Sequence, residues 1–472
     1  MSEQENLPNQ RELAVDLRNY LPSSLARQCL LGDEVRDPAA CVQHLTALLQ
    51  AISTYLPHHV VAPLLENPQP GKVTGEFTSG TVMFADISGF TAMSEKLSRL
   101  GKEGAEEITD IVNRFFTALL EVTDYHGGDL LKFGGDALLV FFGGADHALH
   151  ACLAALQMQD TMSRLSETTT SQGVFRLRMS IGLGTGPLFM ANLGSEEGME
   201  FAVMGRAMTH MAQAESQAAA DEIFISAQTY RELRAQVGEQ AIVKKIQDGL
   251  YHLLGFREGF ALEQQQSVPQ DPIASLPPPP TEGDLLPWIE STMRRIRALE
   301  SFLPPGLMDK IKLDPEQIAI HGEYRPVTVF FANFYGINDI IEQLGDAHGP
   351  ERAGPEITAI LNAHFTTMRQ IIAKYGGVVN KVDTYAVGHR IMALFGAPRA
   401  HIDDPERAVR AALEMQEAMT AFTELNTSCG FFSLKQRIGI NTGLVFAGNV
   451  GSLTRQEYSV MGDEVNLAAR LM

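Results

Sequence analysis

Thr81-Val82-Met83-Phe84-Ala85-Asp86 recurs 247 residues later as Thr328-Val329-Phe330-Phe331-Ala332-Asn333. Each hexad is a short apolar run of the kind that forms a buried strand. Other echoes keep the same order. Tyr55-Leu56-Pro57 returns as Phe302-Leu303-Pro304, again offset by 247; Gly127-Gly128 and Lys132 return as Gly376-Gly377 and Lys381, offset by 249; Val203-Met204-Gly205 returns as Val460-Met461-Gly462, offset by 257. An ordered series whose spacing drifts only by small insertions marks two copies of one domain.

Between the copies runs VPQDPIASLPPPPTEGD, Val268 to Asp284. Proline lacks a backbone donor and favours extended chain, so this stretch reads as a linker. A helix carrying Trp288 is expected after it. Before the first copy, Leu45, Leu49, Ile52 and Leu56 fall at helical spacing. The expected organisation is a helical segment over 1–72, a first domain over 73–265, a linker and helix over 266–318, and a second domain over 319–472.

Within each copy the pattern is strand, helix, hairpin. Ile108, Ile111, Val112, Phe115, Phe116, Leu119 and Leu120 make one helix face, repeated by Ile357, Ile360, Leu361, Phe365, Met368 and Ile372. Gly127 ends the first of these helices. Leu130–Phe133 and Ala137–Phe142 flank Gly134-Gly135-Asp136, a hairpin turn. The fold class implied is α+β.

Composition narrows function. The chain has 472 residues and a formal net charge of −20. That charge disfavours nucleic acid and anionic membrane as partners, since both need clustered Lys and Arg. No apolar run reaches the ~20 residues of a membrane span, and the acidic N-terminus lacks the features of a signal peptide. The four cysteines, Cys29, Cys41, Cys152 and Cys429, have no metal-binding spacing and read as reduced thiols. A cytoplasmic protein is expected.

Asp86 ends an apolar strand and precedes Ile87-Ser88-Gly89-Phe90-Thr91, a turn into a helix whose free N–H groups suit phosphate oxygens. Asp136 sits in the hairpin turn. Should that hairpin pair beside the first strand, the two carboxylates converge and suit two Mg²⁺ or Mn²⁺ ions. The competing reading makes Asp86 a helix cap and Asp136 a turn former.

FADISGFTAM (Phe84–Met93) and LKFGGDALLVFF (Leu131–Phe142) resemble the two metal-binding motifs of class III nucleotidyl cyclases, and EYSVMGDEVNLAAR (Glu457–Arg470) resembles that family's transition-state motif. The likeness is nearest to the bicarbonate-responsive soluble adenylyl cyclases with tandem catalytic domains. It implies two ferredoxin-like (βαββαβ) domains packed as a pseudo-symmetric head-to-tail pair, and conversion of ATP to 3′,5′-cyclic AMP and pyrophosphate. It implies metal ligands at Asp86, the Ile87 backbone and Asp136, and phosphate contacts along Ser88, Gly89, Phe90 and Thr91. Asn466 would orient the ribose and Arg470 would stabilise charge on the α-phosphate. Lys381 and Ser459 would read the base. Arg178 either contacts the terminal phosphates or forms a strand-edge salt bridge. Lys132 would line a second, degenerate pocket that takes bicarbonate, although the family's partnering arginine falls near Ala212, with Arg206 close by but not aligned.

The repeat assigns roles. The second copy has Asn333 where the first has Asp86, and Tyr385 near the position of Asp136. The first copy has Thr209 and Gln213 where the second has Asn466 and Arg470. Each half lacks what the other keeps, so one composite site is expected. Guanylate cyclases usually carry Glu at the lysine position, so Lys381 points to ATP. A guanylate cyclase and a catalytically weak nucleotide-binding module are the alternatives. A diguanylate cyclase is disfavoured because GGDAL lacks the second acid of that signature. The first copy continues past the point matching Met472, through Glu222-Ile223-Phe224-Ile225, so the chain reads as part of a longer protein.

Overall fold

The computed structural model describes residues 10–32, 34–260, 272–281, 283–316, 322–385 and 388–472. The 265/266 and 318/319 boundaries and the first residues of the proline-rich linker lie outside them. The chain falls into two compact units, one of residues 1–72, 195–199 and 270–320, the other of 73–194, 200–269 and 321–472.

The smaller unit is helical. Helices Pro38–Ser53 and His58–Glu66 meet at Pro57, and Leu286–Glu300 and Pro305–Leu313 meet at Pro304. Each proline sits just outside a helix start, where its missing N–H is not needed. Asp37 caps the first helix through the Ala40 N–H at 3.1 Å. Leu286–Glu300 packs on the first two helices, burying Ile289, Met293 and Ile296 in the same unit as Leu45, Leu49 and Ile52. The segment between the copies therefore shares a unit with the segment before them. Residues 272–281 form no helix or strand.

The larger unit holds both copies. In the first, β1 (Thr74–Ser88) leads to α1 (Phe90–Ser98) and α2 (Lys102–Tyr125), then the hairpin β2 (Gly128–Phe133) and β3 (Ala137–Phe142), α3 (His147–Leu165), β4 (Arg178–Ser195) and β5 (Gly198–Met204). After these come α4 (Arg206–Glu215), β6 (Ile223–Ser226), α5 (Ala227–Val237), β7 (Ala241–Gln247) and β8 (Leu250–Phe256). Among the described residues these strands make one sheet in the order β7-β8-β6-β4-β1-β3-β2, with β5 beside β4. Central β1 is hydrogen-bonded on both sides, and Val82, Met83 and Ala85 are fully buried. The predicted face of α2 is buried from Ile108 to Leu120.

In the second copy, β9 (Glu323–Tyr335), α6 (Ile337–His348), α7 (Pro350–Lys374), β10 (Val378–Tyr385), β11 (Gly388–Phe395), α8 (Asp404–Ala418), β12 (Lys435–Gly451), β13 (Gln456–Met461) and α9 (Asp463–Leu471) follow in that order. The sheet order is β10-β11-β9-β12-β13, matching β2-β3-β1-β4-β5. The mixed α+β class is the expected one. Both strand-to-helix turns use a left-handed glycine, Gly89 at φ 94° and Gly336 at φ 99°. A Cβ at either would meet a carbonyl oxygen, of Arg176 at 2.9 Å or of Ser433 at 2.5 Å, so no other residue fits without movement.

Strand register corrects one alignment. Asp86 pairs with Ala137 and Asn333 with Arg390. The residue before each partner is Asp136 in one half and His389 in the other, so His389, not Tyr385, stands at the Asp136 position. The second hairpin is longer: two residues separate Gly134 from Ala137, six separate Asp383 from Arg390.

His364 lies in the core of the second half, 4.7 Å from the Phe334 ring and 5.2 Å from that of Phe422. Burial lowers its pKa to about 4, and that of buried His389 to about 3. Both are held neutral in the fold and protonate readily once unfolded. Their contribution is full above pH 6.5 and falls as pH drops toward 4, by up to about 1.4 kcal/mol per pH unit for each group. Urea unfolding at pH 7 and pH 4.5 should show this loss, and His364→Leu should shrink it; an identical loss in the variant would contradict the account.

Candidate active-site cleft

Two carboxylates open the site. Asp86 stands at the end of the buried part of β1 and Asp136 at the tip of the β2–β3 hairpin. The Ile87 N–H donates to the Asp136 carbonyl at 3.3 Å, which fastens the hairpin tip to the strand. Burial raises the Asp86 carboxyl above the usual range. Asp136 is raised to about 7, by burial first and then by the charge of Asp86. Glu215, from α4, also lines the cleft; burial and then Asp86 raise it, against a 3.2 Å bond from the Ser180 hydroxyl.

Desolvated like charges of this kind call for a cation. Among the described residues no group of three or more His, Cys, Asp or Glu is placed to hold a metal ion. Asp86 and Asp136 offer hard oxygen donors of the kind that hold a divalent cation.

A cavity of about 390 Å³ extends from these carboxylates, within the ~300–1,000 Å³ usual for small-molecule sites. It gathers Asp86, Phe90, Thr91 and Asp136 from the first half with Lys381, Ser459, Asn466 and Arg470 from the second. Arg470 lies on α9, its Nη2 2.8 Å from Asp463 and two-thirds exposed, so no buried contact fixes it. Ser88 and Gly89 form the turn at the edge of the cleft, and the Ser88 hydroxyl donates to the Arg178 carbonyl at 3.4 Å. Arg178 does not line the cavity, and its half-exposed guanidinium stands 3.5 Å from Asp221.

Lys381 is buried. Its ammonium donates to the Phe133 carbonyl at 2.5 Å, to Glu457 at 2.6 Å and to the Ser459 hydroxyl at 3.4 Å. Burial alone would lower this lysine, but the charges of Glu457 and Asp383 outweigh it and hold it above the ordinary value. Glu457 also accepts the Phe133 N–H at 3.3 Å. The arrangement is mirrored at Lys132, which donates to Glu200 and, at 2.6 Å, to the Val382 carbonyl, while Glu200 accepts the Val382 N–H at 3.2 Å. Each lysine is thus held by a glutamate of its own half and bonded to the backbone of the other. Arg206 pairs with Glu342 through two contacts.

Glu200 and Glu457 escaped the sequence reading, yet a signal existed. Glu200-Phe201-Ala202-Val203-Met204-Gly205 recurs as Glu457-Tyr458-Ser459-Val460-Met461-Gly462. Glu215, Asp383 and Arg390, all facing the cavity, have no such echo. Only strand register and helix placement bring them in.

The chain matches the model of the adenylate and guanylate cyclase catalytic domain twice, over residues 73–255 and 320–472. It is 28% identical to adenylate cyclase type 10 of Homo sapiens over 424 residues, 84% of this chain and 24% of that protein. It is 32% identical to adenylate cyclase 1 of Rhizobium meliloti over 145 residues, 31% of this chain and 20% of that one. The chain spans about a quarter of the length of the type 10 relatives it matches. Its fold is like that of a class III adenylyl cyclase-like ATP-binding protein from Pseudomonas aeruginosa, with a TM-score of 0.55 at 13% identity, over 84% of this chain and 81% of that one. No helix among the described residues is long and apolar enough to cross a membrane. With both copies matched by that model, the chain belongs to the adenylate and guanylate cyclase catalytic domain family.

Proposed function

We propose that this chain is an adenylate cyclase with one composite site, built where two ferredoxin-like domains pair as a pseudo-symmetric head-to-tail unit. The carrying observation is the single cavity in which Asp86 and Asp136 meet Lys381, Asn466 and Arg470. In this reading Asp86, Asp136 and the Ile87 carbonyl hold two Mg²⁺ or Mn²⁺ ions. When bound, such ions offset the carboxylate repulsion and the charge of the triphosphate, and favour ionisation of the 3′-hydroxyl.

The remaining roles belong to side chains and backbone. Backbone N–H groups from Ser88 to Thr91, at the start of α1, receive phosphate oxygens. Lys381 has two short bonds committed to the protein and one long bond to Ser459. That third N–H is the one to turn toward the adenine ring nitrogen. Asn466 orients the ribose. Arg470 leaves Asp463 and offers two parallel N–H groups to the α-phosphate as the 3′-oxygen attacks and pyrophosphate departs. Arg178 would have to leave Asp221, as Arg470 leaves Asp463, to reach the terminal phosphates. Guanine would set its N1–H against the Lys381 ammonium, which disfavours GTP. Bicarbonate, entering beside Lys132, has to displace Glu200 from that ammonium. An unchanged rate on adding bicarbonate at fixed pH contradicts that part of the reading.

Incubation with ATP and Mg²⁺ or Mn²⁺ should yield 3′,5′-cyclic AMP. Asp86→Ala and Arg470→Ala should each lower kcat by roughly 100-fold or more; activity surviving both would sink the composite site.

Asp136→Asn carries a second expectation. It removes one of two repelling charges, so it should raise the melting temperature of the metal-free protein at pH 8 by roughly 2–4 °C. It should also abolish the stabilisation that Mn²⁺ gives the unaltered chain. A lower melting temperature without metal would contradict the carboxylate account.

A further inference from the structure

Asp383 follows Lys381 by two residues on β10, so both side chains lie on one face of the strand, while Val382 between them is buried. Both line the cleft. Asp383 pairs across the sheet with Arg390, which also lines it. The Arg390 guanidinium lies 4.6 Å over the Phe331 ring.

This charged pair has no counterpart in the first half. The same register position there is held by Gly134 and Ala137, whose backbones bond at 2.7 Å. The hairpin therefore forms without the charges. They occur only in the half that carries Lys381.

Ser459 leaves a gap in base selection. A hydroxyl both donates and accepts, so it cannot by itself separate the amino group at position 6 of adenine from the carbonyl at position 6 of guanine. A fixed acceptor can. Adenine presents an acceptor ring nitrogen beside its amino donor; guanine presents the reverse order at those two positions. An ammonium followed by a carboxylate matches adenine.

We propose that Asp383 is a base-selecting residue of this cleft, its carboxylate accepting from the exocyclic amino group of an adenine whose ring nitrogen accepts from Lys381, with Arg390 as its cross-strand neighbour. The proposal rests on the ATP reading above. In it, guanine would set its O6 against the carboxylate and its N1–H against the ammonium.

The test uses the whole chain with Mn²⁺ and compares ATP, purine riboside triphosphate, which lacks the 6-amino group, and GTP. Unaltered protein should favour ATP over purine riboside triphosphate by roughly tenfold or more in kcat/KM. Asp383→Ala should erase that preference, chiefly through KM for ATP, and Asp383→Asn, which keeps an acceptor oxygen, should restore part of it. An ATP preference over the analogue that is unchanged in both variants overturns the proposal and leaves the cyclase reading intact. A preference for GTP in the unaltered protein overturns both. Calorimetric binding of 3′-deoxy-ATP and its 6-deamino analogue gives the same comparison without turnover, so loss of activity alone does not hide the answer. Melting curves identify a variant that fails to fold; Asp383→Asn then carries the test.

Discussion

Two buried lysine–glutamate pairs tie the halves of the larger unit together, and the cleft depends on them. Lys381 with Glu457 grips the backbone on both sides of Phe133, and Lys132 with Glu200 grips it around Val382. Charges withdrawn from water are costly unless every donor and acceptor is met. Here each pair is completed by backbone groups of the opposite half, with the Ser459 hydroxyl a longer third partner of Lys381. Removing one partner strands the other, at a cost of roughly 3–5 kcal/mol. The pairs are therefore less a source of net stability than a register device. They fix which strand of one half faces which strand of the other. Arg455 adds to this, with bonds to the Leu130 and Leu131 carbonyls at 3.3 and 3.2 Å.

That register leaves a division of charge. The first half contributes carboxylates whose burial and mutual repulsion hold their pKa values up. The second contributes cations, Lys381 and Arg470, with Arg390 beside them. In the proposed reading, the carboxylate end takes metal-bound phosphates, and the other end, where cations stand beside Asp383, takes a hydrogen-bonding base. The net charge of −20 is no obstacle, since the relevant field is local.

Much of this was legible in the sequence because a repeat shows what each copy has lost. Asn333 opposite Asp86, and Thr209 and Gln213 opposite Asn466 and Arg470, needed only alignment. The helix faces followed from spacing, and burial bears them out except at half-buried Ile360. What alignment could not supply was register around an insertion. The longer second hairpin moved the Asp136 position from Tyr385 to His389. The same insertion hid Asp383 and Arg390, which meet only when the strands pair. Arg178 illustrates a different limit. Its position on β4 was readable from the sequence, but the direction of a long exposed side chain is set by its neighbours, here Asp221. The union of the N-terminal and linker helices in one unit rests on long-range packing that leaves no local mark.

The central claim is one site per chain, shared by two halves. Calorimetric titration with 3′-deoxy-ATP, which lacks the attacking hydroxyl, measures it directly in the presence of Mn²⁺. The account predicts one nucleotide bound per chain, with binding weakened by Asp86→Ala in the first half and equally by Lys381→Ala in the second. Two equivalent nucleotides per chain, or binding lost with one substitution and untouched by the other, would contradict it.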